Sequence, residues 1–241
     1  EITTDLAAAV KDADLVFVAV PVGAMAAVFA AIQAHLKTDA IVTDGGSTKA
    51  SVIDAASQAL GKNIGNFVPG HPVAGTEQSG VAASFPELFE NRRVILTPTD
   101  KTKEQATRQV RKMWEAVGAQ VTEMAAEHHD EVLAATSHLP HVLAYTLVDS
   151  LARMQERREI FEYAAGGFAD FTRIASSSPE MWTDIVCANE PALLEVLDEY
   201  MQDLQALRSE IAKDDRAAIS ARFTRAKDAR DHFTASTTEK K

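Results

Sequence analysis

The run Leu15-Val16-Phe17-Val18-Ala19-Val20, closed by Pro21, limits what this chain can fold into more than any other stretch. Uninterrupted apolar side chains leave no polar face for water, so as a strand the run must be covered on both sides. Strands of that kind belong to parallel sheets with helices packed above and below. The rest of the first half keeps the same rhythm. Gly23 to Leu36 has the apolar spacing of a helix, and Ala40-Ile41-Val42-Thr43-Asp44 is a second strand stopped by Gly45-Gly46. Ser47 to Leu60 follows as a helix, with Ser47 placed to cap it. Phe67-Val68-Pro69 leads into a glycine-rich loop, Arg93 to Pro98 is another strand, Lys103 to Val117 a helix, and Ala119 to Thr122 a last strand. Strand and helix alternating at this spacing predict an α/β fold, a doubly wound parallel sheet.

After Met124 the pattern turns purely helical, with apolar residues three and four apart through Leu133 to Leu151 and again from Ala192 to Leu207. The chain therefore reads as a partial dinucleotide-binding domain over residues 1–124 and an all-helical substrate and dimerisation domain over 125–241. A helix from Asp130 to Met154 is too apolar for a single exposed face, which places it between layers or in a subunit interface. The last residues, 234–241, read as a frayed end.

The net charge of −11 opposes nucleic acid and anionic membrane as partners. No apolar run approaches the ~20 residues of a membrane span, and the start lacks the pattern of a signal peptide. The single cysteine, Cys187, rules out an internal disulfide, suits a reducing cytoplasm, and is expected to be buried. The chain opens on Glu1-Ile2-Thr3-Thr4-Asp5 close to a strand, so it reads as a piece of something longer. The Gly-x-Gly-x-x-Gly turn and the acid about 20 residues on that mark a dinucleotide site do not occur here, and are expected on strands preceding Glu1.

Ligands in doubly wound sheets sit at the carboxyl ends of the strands, against helix N-termini. Three loops meet that condition: Val20-Pro21-Val22-Gly23, Asp44 to Lys49, and Gly70-His71-Pro72-Val73-Ala74-Gly75-Thr76-Glu77-Gln78-Ser79-Gly80. Asp44 to Lys49 alone suits a glycine turn and a helix cap, but beside the other two it favours a cofactor site. His71, held by glycine and proline, is either a packed turn residue or a general base that takes a proton from a substrate hydroxyl. His138 and His141 lie one turn apart around Pro140. With His128 or His129 they could approach a metal set, yet no acid stands at the usual spacing, so no metal is expected and a packed or substrate-contacting role is preferred. In Gly166-Gly167-Phe168-Ala169-Asp170-Phe171-Thr172-Arg173-Ile174-Ala175, a glycine turn aims Arg173 either at a carboxylate ligand or at Asp170.

Thr43 to Lys49, Gly70 to Gly80, Ser137 to His141, and Gly166 to Ala175 with Met181-Trp182 resemble, in order and spacing, the prephenate and arogenate (cyclohexadienyl) dehydrogenases of tyrosine biosynthesis. The resemblance spans nearly the whole chain. It implies a Rossmann-like domain, NAD or NADP as cofactor, a homodimer, and oxidative decarboxylation of a ring acid. It implies His71 as the catalytic base, Ser47 near the reacting hydroxyl and the nicotinamide, and Val20, Pro21 and Thr48 at the cofactor. Arg173 matches the arginine that binds a substrate carboxylate. Asp170 and Glu77 match acids of an ionic gate, while Trp182, His141, Gly166 and Thr76 match other substrate contacts. Ala169 departs from the lysine or arginine common there, leaving prephenate against arogenate open. Two other readings stand beside this one: a different nicotinamide dehydrogenase of the 3-hydroxyacid type, and a non-catalytic remnant that binds a ring carboxylate.

Overall fold

Short strands form where the apolar runs lie, and another forms at the head of the expected glycine-rich loop, in a computed structural model that describes residues 2–75, 80, 83–154 and 159–238. By contact density the chain divides into two units, Glu1–Leu193 and Leu194–Lys241. In the first, α1 (Leu6–Val10) precedes β1 (Leu15–Val18), a single helical turn leads into α2 (Met25–Gln33), and β2 (Ile41–Asp44) is followed by α3 (Ala50–Ala59). β1, β2 and β3 (Phe67–Val68) pair in parallel, Val18 opposite Asp44 and Val42 opposite Phe67. Pro69 has no N–H to give a ladder and separates β3 from β4 (Gly70–Pro72), although its carbonyl still accepts from the Thr97 amide at 3.0 Å.

The doubly wound arrangement follows from the alternation of side chains along each strand. Val18, Val42 and Phe67 point into one core with Met25, Phe29 and Ile32 of α2 and with Val52 and Ala56 of α3. Ile41, Val68, Val94 and Leu96 point into another, against Ala106, Val110 and Trp114 of α4 (Glu104–Ala116). One pairing departs from the parallel expectation. β5 (Arg93–Leu96) runs antiparallel to β4, with His71 opposite Ile95, and β6 (Gln120–Glu123) runs parallel to β5. A strand as short as β4 carries too little periodicity to declare its direction.

The expected helix from Asp130 to Met154 is built of three pieces. α5 (Ala126–Leu133) passes through a wide π turn at Ala134–His138 into α6 (Leu139–Ala152). The widening has a local cause: Pro140 would press its ring on the carbonyl four residues back in a regular helix, and the looser turn makes room. Only Leu139 and Ala144 of α6 are fully buried, so much of that helix is half-covered. α7 (Glu159–Glu162), α8 (Gly166–Thr172), a 3₁₀ turn at Arg173–Ser176 and α9 (Pro179–Ala188) follow. Ser178 caps α9. Cys187 is exposed, contrary to expectation, because it falls on the outer side of α9 while Trp182 and Ile185 take the inner side.

α10 (Glu190–Ala212) runs into the second unit, where α11 (Arg216–Thr238) turns back on it through Lys213 to Asp215. Arg222 reaches Glu210 at 2.9 Å and Asp203 at 3.1 Å, which pins the two helices together. The helix runs on to Thr238, past the point where fraying was expected, and residues 239–241 lie outside the described residues. Met201, Leu204, Ile211, Phe223 and Phe233 are exposed on this pair. Among the described residues no helix is long and apolar enough to cross a membrane.

Candidate active site

The site begins at the carboxyl end of β2. Asp44 is wholly buried and its carboxylate accepts from the Gly46 amide at 2.8 Å and the Gly70 amide at 3.0 Å. Lys49 is equally buried, ion-pairs with Asp44, and donates to the Gly70 carbonyl at 2.7 Å. The pair therefore staples β2 to β4 immediately before His71. The strands come so close that a Cβ on Gly70 would lie 3.1 Å from the Asp44 carbonyl, so a side chain there would press the two strands apart. Removing one partner of such a pair typically costs about 3–5 kcal/mol, because the other charge is left buried alone.

His71 is buried on β4, and its Nδ1 lies 2.8 Å from Nε2 of His129 on α5. His129 Nδ1 in turn lies 2.7 Å from the Asp130 carboxylate. That carboxylate also accepts from the Lys49 amide at 2.8 Å and the Ala50 amide at 2.9 Å, the free donors at the start of α3. Asp130 thus caps α3 from a distant helix. Ser47, expected to be the cap, lies outside the helix, which starts at Ala50. Its half-buried hydroxyl has no hydrogen-bond partner among the described residues, while Thr48 pairs with the Ser51 hydroxyl at 2.8 Å.

A polar chain continues from Asp130 toward α9. The Asn189 amide donates to the Asp130 carbonyl at 2.8 Å and contacts His138 Nδ1 at 3.0 Å. His138 lies edge-on to Trp182, and His141 stacks on the same indole with ring centres 3.5 Å apart. The π turn makes this possible: at about 100° per residue a regular helix would put His129 and His138 on opposite faces, and the wide turn swings His138 back. His141 Nδ1 donates to the Ser137 carbonyl at 2.9 Å, and the buried Trp182 indole N–H has no partner among the described residues.

The sequence candidates therefore fall into three groups. His71, His141 and Trp182 join one connected network through His129, Asp130, Asn189 and His138. Val20, Pro21, Ser47 and Thr48 lie where β1 and β2 end, and Gly23 beside them donates to Asp184 of α9 at 3.1 Å. Gly166 opens α8, Asp170 lies within it, and Arg173 begins the turn that follows; all three are exposed, on elements packed against α6. Thr76 and Glu77 lie outside the described residues. His128, weighed as a metal ligand, is exposed beside Glu131, and among the described residues no cluster suits a metal ion.

Asp130 and Asn189 were not singled out from sequence, Lys49 only as part of a loop, and His129 only as a metal candidate. Their roles depend on contacts 80, 59, 21 and 58 residues apart along the chain. The one local signal is an acid directly after a histidine within α5.

Residues 1–123 match the family model for the prephenate dehydrogenase nucleotide-binding domain, and residues 125–225 that for the prephenate dehydrogenase dimerization domain. The chain is 46% identical to a cyclohexadienyl dehydrogenase of Zymomonas mobilis, over 95% of this chain and 78% of that protein. It is 39% identical to a prephenate dehydrogenase of Bacillus subtilis, over 92% of this chain and 60% of the relative. Its fold is similar to the crystal structure of prephenate dehydrogenase from A. aeolicus in complex with hydroxyphenyl propionate and NAD+, with a TM-score of 0.87 and 38% identity over 95% of this chain and 79% of that one.

Burial, with the Lys49 cation next in importance, holds His71 well below the ordinary histidine range, so it stays neutral and able to accept a proton. Burial likewise lowers His138 to about 4. An unfolded chain would bind that proton near 6.5, so the stability due to neutral His138 is complete above that pH and is lost as pH falls through about 4. The expected size is about 3 kcal/mol. His138→Asn keeps an acceptor toward Asn189 without the titration. Urea denaturation at pH 7 and 4.5 should show a smaller acid loss for the variant than for the parent; equal losses would contradict this assignment.

Proposed function

The chain belongs to the prephenate dehydrogenase family, and from that premise we propose that it oxidises and decarboxylates prephenate, arogenate or both in tyrosine biosynthesis. The observation that carries the reading is a buried, neutral His71 placed where the parallel strands end, within one network with His141 and Trp182. Residues 1–124 form the nucleotide-binding part and 125–241 the helical part.

The turn after β2 suits a dinucleotide. A Cβ on Gly45 would lie 3.0 Å from the Phe17 ring, and one on Gly46 would lie 2.9 Å from the Asp44 carboxylate, so only glycine keeps that turn flat against the strand ends. Val20, Pro21, Ser47 and Thr48, at the ends of β1 and β2, would hold the dinucleotide. NAD or NADP supplies the hydride acceptor. His71 takes the proton of the ring hydroxyl as the hydride departs with its electron pair from the carbon bearing that hydroxyl. The ring carboxylate then leaves as carbon dioxide, its bonding pair enters the ring, and the phenol oxygen recovers a proton. Ser47, which has no hydrogen-bond partner among the described residues, hydrogen-bonds the same hydroxyl. Arg173 clamps a substrate carboxylate, and Asp170, Glu77, Thr76 and Gly166 share in binding the substrate. Trp182 and His141 form an aromatic wall.

The exposed apolar residues of α10 and α11 support a homodimer, and the exposed thiol of Cys187 suits the reducing cytoplasm. Sedimentation should give twice the chain mass; a monomer at micromolar concentration would refute the dimer. His71→Asn should lower kcat by about 10²- to 10⁴-fold with prephenate or arogenate while substrate still binds. Unchanged turnover would remove His71 as the base. Arg173→Gln should raise KM by about 10- to 100-fold and leave kcat within a few-fold, the loss of a charged hydrogen bond of about 1.5–3 kcal/mol. An unaltered KM would remove the clamp.

A further inference from the structure

A histidine base is useful only if the correct ring nitrogen carries the lone pair, and the contacts around His71 select one. We infer that His129 and Asp130 act as positioning residues that hold His71 in its Nδ1–H form, leaving Nε2 as the single base facing substrate. The inference rests on the reading of His71 as the proton acceptor.

The selection runs through the donor and acceptor roles one bond at a time. The Asp130 carboxylate already accepts two backbone amides, from Lys49 and Ala50, so it serves as an anion that only accepts. Its hydrogen bonds from His129, Ala50 and Lys49 outweigh burial and keep it below the usual carboxylate range. His129 Nδ1, 2.7 Å away, must therefore carry a hydrogen. With His129 as a neutral imidazole, that is its one N–H, and its Nε2 holds a lone pair. His71 Nδ1 stands 2.8 Å from it and must donate. The hydrogen of neutral His71 is then spoken for, and Nε2 is left free to accept. A doubly protonated His129 would reverse the last bond, place the His71 hydrogen on Nε2, and leave no base.

The same chain serves the transfer itself. When the hydroxyl O–H bond breaks and an N–H bond forms at His71 Nε2, the ring becomes a cation that donates more strongly through Nδ1 to His129. The fixed charge of Asp130 lies one ring further along and favours that cation. Asn189 holds the Asp130 backbone by its carbonyl, so the anion is fixed in place before substrate arrives. The arrangement has the logic of a base oriented by a buried acid, with a second imidazole inserted between them.

Two measurements on the intact enzyme test this. The first needs no substrate: long-range proton–nitrogen correlation spectra of ¹⁵N-histidine-labelled protein at pH 8, with the His71 signals identified by their loss in His71→Asn. The expected result is hydrogen on Nδ1 and a bare Nε2. Hydrogen on Nε2 overturns the inference, whatever the enzyme turns over. The second is kinetic, with prephenate or arogenate and NAD. His129→Ala should lower kcat by about 10²-fold with KM for both ligands within about twofold, and its His71 should shift toward hydrogen on Nε2. His129→Gln, whose carbonyl oxygen can take the place of Nε2 as acceptor, should recover at least about tenfold of that loss. A His129→Ala enzyme with kcat within about threefold of the parent, or no recovery in a folded His129→Gln, overturns it. Should the alanine variant fail to fold, the spectrum of the parent decides. A parent enzyme that oxidises neither ring acid refutes the proposed function instead, and the spectrum still reads the relay independently.

Discussion

The carboxylate of Asp130 is the contact on which the rest of the site depends. It closes the free amides at the start of α3, and it anchors His129, which in turn meets His71 on β4. A helix N-terminus carries partial positive charge and unpaired donors, so an anion from elsewhere in the chain is a natural occupant. Using a side chain from α5 for that purpose makes the placement of the helix and the orientation of the base one event. α3 cannot shift along its axis without disturbing Asp130, and His129 cannot turn without giving up its bond to that carboxylate.

A second buried anion, Asp44, works differently. Its partner Lys49 contributes a cation close to His71, and after burial it is the largest influence lowering the histidine. Burying two full charges is a weak way to gain stability. Here the pair has an electrostatic use: it stiffens the crossing of β2 and β4 and keeps a proton off His71 until a substrate hydroxyl presents one. Asp130 and Lys49 therefore act in opposite senses on the same ring, one favouring the cation that forms during transfer and the other opposing it beforehand.

The frame of the molecule was legible because hydrophobic patterning is local. β1 and β2 come from continuous apolar runs, and the faces of α2 and α4 from their spacing. His71 was legible because a histidine among glycines and a proline is unusual, and Trp182 because it belongs to a recognisable sequence pattern. The cap of α3 was misplaced at Ser47 since a serine before a helix is normally sufficient, and nothing near it announces an acid 80 residues later. Antiparallel β5 escaped notice because direction in a sheet is decided by the path of the chain between strands, not by the strands themselves. The relay was hidden for the same reason: hydrogen bonds between distant side chains leave no periodic trace.

The π turn at Ala134–His138 stores part of the site in the winding of the backbone. Everything beyond it, His141 and the rest of α6 included, keeps its angular position relative to His129 only while that turn stays wide. Rewinding the same residues as a regular helix would turn all that follows away from its present face. Hydropathy would scarcely change, and the histidines would leave the network together. Along this stretch the winding of the backbone is as much a part of the pocket as the side chains it carries.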